Sequence, residues 1–360
     1  MNMKINYIMA GTNLTGGVRV LLEIANKLVE RGHEVTITSF GDKKDHCWYP
    51  LRAKTVYIRR SPLKMVLGYL SRKYVDIGVY PNQEYFDLAR SIPECDINVA
   101  TFCFTAFSAF MSGKGKLFYH MQHHEPLFFD DPIFKRLAEE TYYLPLNKIS
   151  NSIWLRNQMR ELYGYDTPVV NPAIDHSVFY PRDVNRDTNK FKILCFGKQT
   201  RWKGFPEVLD AIKTVTKNRG DVEFVAYGMN KPKYPSDIPY KFIQSPSDEE
   251  LARLYSSADL MVCPSWYESF PLFPLEAMAC GAPVITTPYG TEDYAFHEEN
   301  CLVVPPRDPK AMSEAILALL DDEDERERFK KEGIRTAKQF TWDNTTDKVE
   351  QLFRDALKDK

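Results

Sequence analysis

The chain has 360 residues, more than one hydrophobic core usually serves, so two α/β domains are expected. Hydrophobic residues make up 44% and charged residues 27%, a balance that excludes a largely disordered chain. The formal net charge of −2 lacks the basic excess of nucleic-acid-binding proteins, so no nucleic-acid partner is expected. The seven cysteines contain no CxxC pair, which indicates reduced thiols in a cytoplasmic protein.

The first third of the chain predicts a parallel sheet. Residues 5–10 form a short apolar strand, and apolar residues at helical spacing follow Gly16 and Gly17. Residues 34–39 alternate as a second strand, which completes a β-α-β unit. Further strand candidates lie at 54–58, 96–102, 117–122 and 146–150. We expect a Rossmann-like first domain over residues 1–184.

A second α/β unit follows a polar stretch. Residues 171–189 carry prolines and then turn polar, as a linker does, and the β-α alternation restarts at Phe191. This pattern predicts a second Rossmann-like domain over residues 185–341 and a terminal segment, 342–360, with a helical apolar stripe. Parallel sheets of this kind bind ligands at the carboxyl ends of their strands, so the loops there are the candidate site.

Two glutamates follow the predicted strand at residues 260–263. Glu268 lies in the loop, and Glu276 is expected in the first turn of a helix that Pro274 initiates. Paired carboxylates suit the vicinal hydroxyls of a ligand with two polyol parts, such as a nucleoside diphosphate sugar. Alternatively, Glu276 complements a helix dipole and Glu268 is a solvated charge. The backbone amides expected to hold the ligand's anionic centre belong to Ser269, Phe270 and Leu272.

A glycine-bounded turn follows the first strand of the second domain. Between Gly197 and Gly204 it carries the cations Lys198, Arg201 and Lys203. Three cations around one turn can neutralise a diphosphate leaving group without a metal ion. The alternative is an ordinary surface turn.

Gly16 and Gly17 stand where the first strand meets the first helix, so their amides can approach a ligand closely. Nicotinamide binding is the competing interpretation, with Asp42 as the acidic ribose reader. The spacing from Gly11 is not GxGxxG, however, so no cofactor is expected.

Three histidines, His120, His123 and His124, fall within five residues at the end of another first-domain strand. Such a position suits a group that orients or polarises a sugar. Zinc is the alternative, because histidine and Glu125 are possible ligands. The spacing is not HExxH, and no metal is expected.

Residues 59–73 interleave cations with apolar residues, as a membrane-surface helix does. A solvated helix packed on the core has the same pattern. The chain start lacks the apolar core of a signal peptide, and no later apolar run reaches ~18 residues. We therefore expect a cytoplasmic protein, with peripheral contact at the inner face of the membrane as the alternative.

Taken together, these motifs resemble glycosyltransferase family 4, a group of retaining enzymes with the GT-B fold. Two departures from the family pattern are Pro271 and Cys301, each in place of a frequent glycine. The resemblance implies an α/β fold of two Rossmann-like domains whose parallel sheets face each other across a cleft, with 342–360 crossing back to the first domain. The matching segments are 16–17, 30–36, 171–179, 197–204, 268–281, 300–306 and 340–342.

The same resemblance implies roles for single residues. Lys198 and Lys203 contact the donor diphosphate, Glu268 the hydroxyls of the donor sugar, and Glu276 the ribose. His123 is expected to act as the catalytic histidine of the first domain, with Gln122 as the alternative.

The family reaction is a metal-independent transfer, with retention, from a nucleoside diphosphate sugar to a glycan or lipid-linked acceptor, as in polysaccharide biosynthesis. The Gln-x-x-Glu-Pro pattern at residues 122–126 resembles rhamnosyl-transferring members. Two other hypotheses stay open: a sugar-nucleotide epimerase of the same fold, and a non-catalytic protein that binds sugar nucleotides.

Overall fold

The computed structural model describes residues 2–59, 84–185 and 189–358. The chain forms two compact units, Met1–Asn171 with Trp342–Lys360, and Pro172–Thr341. Most of the basic stretch at residues 59–73, for which a core-packed helix and a membrane-surface helix are the two interpretations, lies outside the described residues, from residue 60 onward.

The division between the units falls at Asn171, earlier than the expected boundary at residue 184. The prolines of this segment suggest a linker, but Ile174 and Phe179 are buried in the core of the second unit. Burial of these apolar side chains therefore attaches the segment to the second unit.

The described part of the first unit contains a six-stranded parallel sheet in the order β3-β2-β1-β4-β5-β6. Its strands are β1 (Lys4–Met9), β2 (Glu34–Phe40), β3 (Lys54–Ile58), β4 (Ile97–Ala100), β5 (Lys116–Met121) and β6 (Asn147–Ser150). The described helices of this unit before the division are α1 (Gly16–Glu30), α2 (Glu84–Ser91), α3 (Cys103–Ser112), α4 (Pro132–Glu140) and α5 (Ile153–Tyr163). Strand order reverses beside β1, the kind of switch point where α/β sheets bind ligands.

The second unit repeats this plan, with the described strands in the order β12-β11-β10-β7-β8-β9, all parallel. They are β7 (Phe191–Phe196), β8 (Val222–Gly228), β9 (Lys241–Gln244), β10 (Leu260–Cys263), β11 (Val284–Thr286) and β12 (Leu302–Val303). The helices are α6 (Phe205–Asn218), α7 (Asp248–Ser256), α8 (Leu272–Ala279), α9 (Pro309–Asp321) and α10 (Glu323–Ala337).

Both faces of the second sheet are buried, which explains why its central strands read as continuous apolar runs. In β7, Ile193 and Cys195 belong to one hydrophobic cluster, while Leu194 between them belongs to the other. Successive side chains of a strand point to opposite faces, so a strand covered on both sides shows no polar alternation.

The terminal helix α11 (Trp342–Lys358) packs in the first unit. Phe353 is fully buried, with its ring centroid 4.9 Å from that of Phe118. Arg31, at the end of α1, pairs with Asp347 at 2.6 Å and with Glu350 at 3.0 Å. Apolar burial and this ion-pair network together hold α11 against α1. No helix among the described residues is long and apolar enough to cross a membrane.

Candidate functional site

Two loops of the second unit leave neighbouring parallel strands at the same edge of the sheet. One joins β7 to α6 and the other joins β10 to α8. Gly204 has a φ of +69°, and a Cβ atom there would lie 2.0 Å from the carbonyl oxygen of Pro264. The amide of Trp266 donates to the carbonyl of Trp202 at 2.7 Å. The loops thus touch through their backbones, which only a glycine at position 204 permits.

The side chains of the two loops meet in an ion pair between Lys203 and Glu268. Glu268 is buried, and Ser265 also donates to its carboxylate, at 2.7 Å. The alternative interpretation of Glu268 as a solvated loop charge is therefore wrong. A buried carboxylate is retained only with a compensating charge and hydrogen bonds, and here both are present.

Lys198 belongs to the same charge cluster but keeps an exposed side chain. The surrounding protein desolvates its ammonium group, and together with the charge of Lys203 this lowers the pKa of Lys198, partly offset by Glu268. Lys203 lies close enough to Lys198 to lower the pKa of Lys198, so the two ammonium groups repel each other. Binding of an anion between them would reduce this repulsion.

Arg201, the third cation of the turn, is engaged elsewhere. Its guanidinium bonds both carboxylate oxygens of Glu207, at 2.7 and 2.9 Å, and lies over the ring of Trp266 at 4.5 Å. Arg307 covers the same ring at 3.7 Å. These contacts fix the loop that carries Glu268, so Arg201 contributes to its shape.

Glu276 lies further along α8 than expected. The helix begins at Leu272, so Glu276 is its fifth residue and lies beyond the first turn. The helix begins with the apolar residues Leu272 and Phe273, which are not typical helix-start residues, so the sequence placed its beginning at Pro274. The carboxylate is buried and accepts a hydrogen bond from Tyr255 at 3.3 Å, and Tyr255 in turn contacts the hydroxyl of Tyr227 at 2.7 Å. Distance from the helix end weakens the interpretation of Glu276 as a helix-dipole partner.

The three residues expected to offer amides lie around the start of α8. Ser269 is buried, and the ring of Phe270 packs against Tyr294, with centroids 5.2 Å apart. Leu272 is half-buried, and Pro271, the N-cap residue of the helix, makes no side-chain capping hydrogen bond. The side chain of Phe270 therefore serves the core, which leaves only its backbone for a ligand.

In the first unit, Gly16 and Gly17 begin α1 without unusual backbone angles. A Cβ atom on Gly16 would meet nothing within 4 Å, and one on Gly17 would lie 3.8 Å from Cβ of Gln122. The fold itself does not require glycine at either position. Their missing side chains leave open space at the start of the helix.

His123 follows β5 and is buried, with its ring against Phe128 and Trp154 at centroid distances of 4.8 and 5.6 Å. Its Nδ1 lies 3.1 Å from the carbonyl of His124. Beside it, the side-chain nitrogen of Gln122 is buried and has no hydrogen-bond partner in the described part of the chain. Both candidates for the first-domain role thus lie at one strand end.

The neighbouring polar residues serve the fold. Glu125 accepts hydrogen bonds from the amide of Cys103, at the start of α3, and from Tyr119 at 2.9 Å. Burial raises the pKa of Glu125 to about 7 and lowers that of His124 to about 4. His124 contacts the hydroxyl of Tyr163 at 2.8 Å. Among the described residues, no group of three or more His, Cys, Asp or Glu side chains has a metal-binding arrangement.

Two residues near the ion pair were not anticipated from the sequence, Ser265 and Glu207. Ser265 is a small buried side chain two residues after β10, and a polar residue in that position was the available signal. Glu207 is predicted only as part of a helix, since its pairing with Arg201 depends on the turn of the chain.

Comparison with known proteins shows which proteins this unit is similar to. Residues 179–336 match the family model described as "Glycosyl transferases group 1". A D-inositol 3-phosphate glycosyltransferase of Corynebacterium urealyticum is 29% identical over 223 residues, covering 53% of each chain. The first curated relatives are matched over about half of their length.

Solved structures extend the likeness to the whole chain. Sucrose-phosphate synthase of Thermosynechococcus elongatus superposes with a TM-score of 0.79 over 100% of both chains, at 18% identity. HepE of Anabaena, solved with UDP-glucose, gives a TM-score of 0.76 at 17% identity, covering 98% of this chain and 100% of that one. The resemblance predicted from the motifs is confirmed over residues 179–336, which are similar to group 1 glycosyl transferases, and the two six-stranded parallel sheets give the expected GT-B fold.

Proposed function

We propose that the protein transfers a sugar, with retention and without a bound metal ion, from a nucleoside diphosphate sugar to a glycan or lipid-linked acceptor. The observation that carries this proposal is the ion pair between half-buried Lys203 and buried Glu268, with Lys198 beside it, at the strand ends of the segment that matches the group 1 family model. Two cations and a carboxylate lie at the same edge of the sheet. Such a donor has two parts that fit them: a diphosphate, which binds cations, and a polyol, whose hydroxyls donate to a carboxylate.

The lysines would supply the positive charge for the diphosphate. The potential between Lys198 and Lys203 favours an anion, and lysine can act on phosphate as a point charge. The start of α8, where the N-cap residue is a proline, would add backbone donors for the same group through the amides of Ser269, Phe270 and Leu272. Charge supplied in this way would stabilise the leaving diphosphate, which is the reason we propose a metal-independent reaction.

The carboxylates would divide the donor between them. Glu268 would accept hydrogen bonds from hydroxyls of the sugar, and Glu276 would do so from the ribose. Both side chains are buried, which strengthens hydrogen bonds with a charged acceptor relative to those in water.

Retention would follow from displacement on one face of the sugar. The bond between the anomeric carbon and the diphosphate oxygen breaks as the acceptor oxygen bonds to the same face, and the acceptor proton passes to the leaving phosphate. In the first unit, His123 would orient or polarise the sugar, and the amides of Gly16 and Gly17 would approach the substrate in the open space before α1.

The relatives support this substrate class. HepE was solved with UDP-glucose, and the corynebacterial relative is named for a glycosyl transfer to an inositol phosphate. A sugar or lipid-linked sugar acceptor, within polysaccharide or glycoconjugate biosynthesis, is our extension to this chain.

The test begins with a thermal-shift screen of nucleotides and nucleotide sugars, deoxysugar donors included, because a ligand of the native state raises apparent stability. Transfer from the best donor to an acceptor panel is then followed by NMR of the anomeric proton, with and without EDTA. We expect nucleotide release, a product of unchanged anomeric configuration and no effect of EDTA. Donor rearrangement without an acceptor would instead identify an epimerase, and binding without turnover a non-catalytic protein.

We also propose a peripheral contact with the inner face of the membrane, based on the basic and apolar sequence at residues 59–73. Flotation of the protein with anionic lipid vesicles tests it. We expect binding that weakens as salt rises, and no binding even at low salt would contradict the proposal.

A further inference from the structure

The two oxygens of the Glu268 carboxylate are not equivalent. Ser265 donates to Oε1 at 2.7 Å, and the ammonium of Lys203 pairs with the same oxygen. In the described part of the chain, Oε2 accepts no hydrogen bond. The protein therefore ties down one oxygen and leaves the other able to accept a hydrogen bond from a ligand.

Ser265 is itself fixed in place. It lies two residues beyond β10 and is buried, and its carbonyl accepts a hydrogen bond from the hydroxyl of Thr287, just beyond β11. Thr287 is buried too, and its own carbonyl accepts from Thr291 at 2.7 Å. Ser265 is thus held by the ends of two neighbouring strands, which suits a residue that orients another side chain.

The two donors to Oε1 differ in what else they would do. Under the proposed function Lys203 also serves the diphosphate, and a charge shared between two anions holds each less firmly. Ser265 is neutral and donates its one hydroxyl hydrogen to Glu268. The hydrogen bond from Ser265 would therefore keep holding the Glu268 carboxylate when Lys203 binds the diphosphate.

We propose that Ser265 is a positioning residue, which keeps Oε1 of Glu268 turned towards the protein so that Oε2 faces the hydroxyls of the donor sugar. This inference rests on the proposed function. Ser265 acts through Glu268 and touches neither the nucleotide nor the reacting atoms, so its removal should affect turnover and not nucleotide binding.

Ser265→Ala removes the hydroxyl, and Ser265→Cys keeps a weak donor of similar size. Ser313→Ala is the matched control, a buried serine of the same unit that donates to the carbonyl of Lys310 at 2.8 Å. We expect kcat to fall about tenfold in Ser265→Ala and less in Ser265→Cys, with KM and nucleoside diphosphate affinity within about twofold of wild type. The control should keep wild-type kinetics. If Ser265→Ala does not fold, Ser265→Cys carries the test.

A double-mutant cycle separates positioning from a general structural role. In a Glu268→Ala background, Ser265→Ala should cause no further loss of kcat, because its target is gone. An undiminished tenfold loss in that background, or wild-type kcat in Ser265→Ala alone, overturns the inference. If Glu268→Ala is impaired and Ser265→Ala is not, the inference fails and the proposed function stands. A wild-type protein that transfers from no nucleotide sugar overturns the proposed function and this inference with it.

Discussion

Polar residues gather at the carboxyl ends of the strands in both units, but the two sets are bonded differently. In the first unit, Glu125 and His124 are buried and bond to neutral groups, the amide of Cys103 and tyrosine hydroxyls. In the second unit, Glu268 pairs with a cation, Lys203, and the neighbouring Lys198 is exposed. A strand-end position thus does not define a site; the candidate site is the strand edge at which charged groups of both signs meet beside an exposed cation. Substitutions should affect stability in the first set and ligand binding or turnover in the second.

The largest effect should come from Glu268→Ala. We expect kcat to fall about 10²- to 10³-fold, the usual loss when a group that stabilises the transition state is removed. Nucleoside diphosphate affinity should not fall, since Glu268 would contact only the sugar and its removal leaves Lys203 free for phosphate. Steady-state rates and titration calorimetry measure the two quantities. A loss of nucleotide binding as severe as in Glu276→Ala would refute this division of roles.

Glu125→Gln tests whether Glu125 of the first unit affects stability, through the pH dependence of the free energy of unfolding. Burial raises the folded-state pKa of Glu125 from 4.5 to about 7, so its contribution to stability is fully present below pH 4.5 and is lost as pH rises through 7. The loss amounts to about 3 kcal/mol by linkage. The variant, always neutral, should gain about that much at pH 8 relative to wild type, and little at pH 4.

Urea unfolding at several pH values measures this difference, with Glu161→Gln as a control at an exposed position of the same unit. The control should follow the wild-type pH profile. A Glu125→Gln profile parallel to wild type would mean that the carboxylate is ionised in the fold. A marked loss of turnover at unchanged stability would instead place Glu125 in the site.

Lys203→Ala should weaken donor and nucleoside diphosphate binding by about 1.5–3 kcal/mol, and Lys198→Ala by less, because hydrogen bonds to charged groups are worth that much. Lys213→Ala, which breaks a surface pair with Asp237 in the same unit, is the control and should bind as wild type does. Calorimetry with nucleoside diphosphate gives the affinities. Wild-type kinetics in the Lys198/Lys203 double variant would remove the diphosphate assignment.

The smallest effect should come from Glu276→Ala. Loss of its contact with the ribose should weaken nucleoside diphosphate and nucleotide-sugar binding alike, by about tenfold. Turnover at saturating donor should change little, since the ribose does not react. Glu314→Ala, at an exposed position of α9, is the control. Unchanged affinity in Glu276→Ala would refute the ribose contact and leave that carboxylate a structural role beside Tyr255.

The sequence by itself determined the alternation of strands and helices, the two parallel sheets and the loops in which the charges lie. Apolar periodicity and glycine positions act locally, so they can be read along the chain. The strand predicted at 54–58 matches β3, and the expected second strand of the first domain matches β2 closely. The Glu268 to Gly281 segment also indicated the family, because its spacing reflects one loop and one helix.

Only the tertiary structure decided which charges are paired. Lys203 meets Glu268 across 65 positions of sequence, while Arg201, two residues before Lys203, turns to Glu207. The same is true of burial: the prolines near residue 174 suggested a linker, yet the side chain of Ile174 completes a core. Pairing and burial depend on the close approach of distant backbone segments, such as Gly204 against Pro264, and local pattern carries no information about that approach.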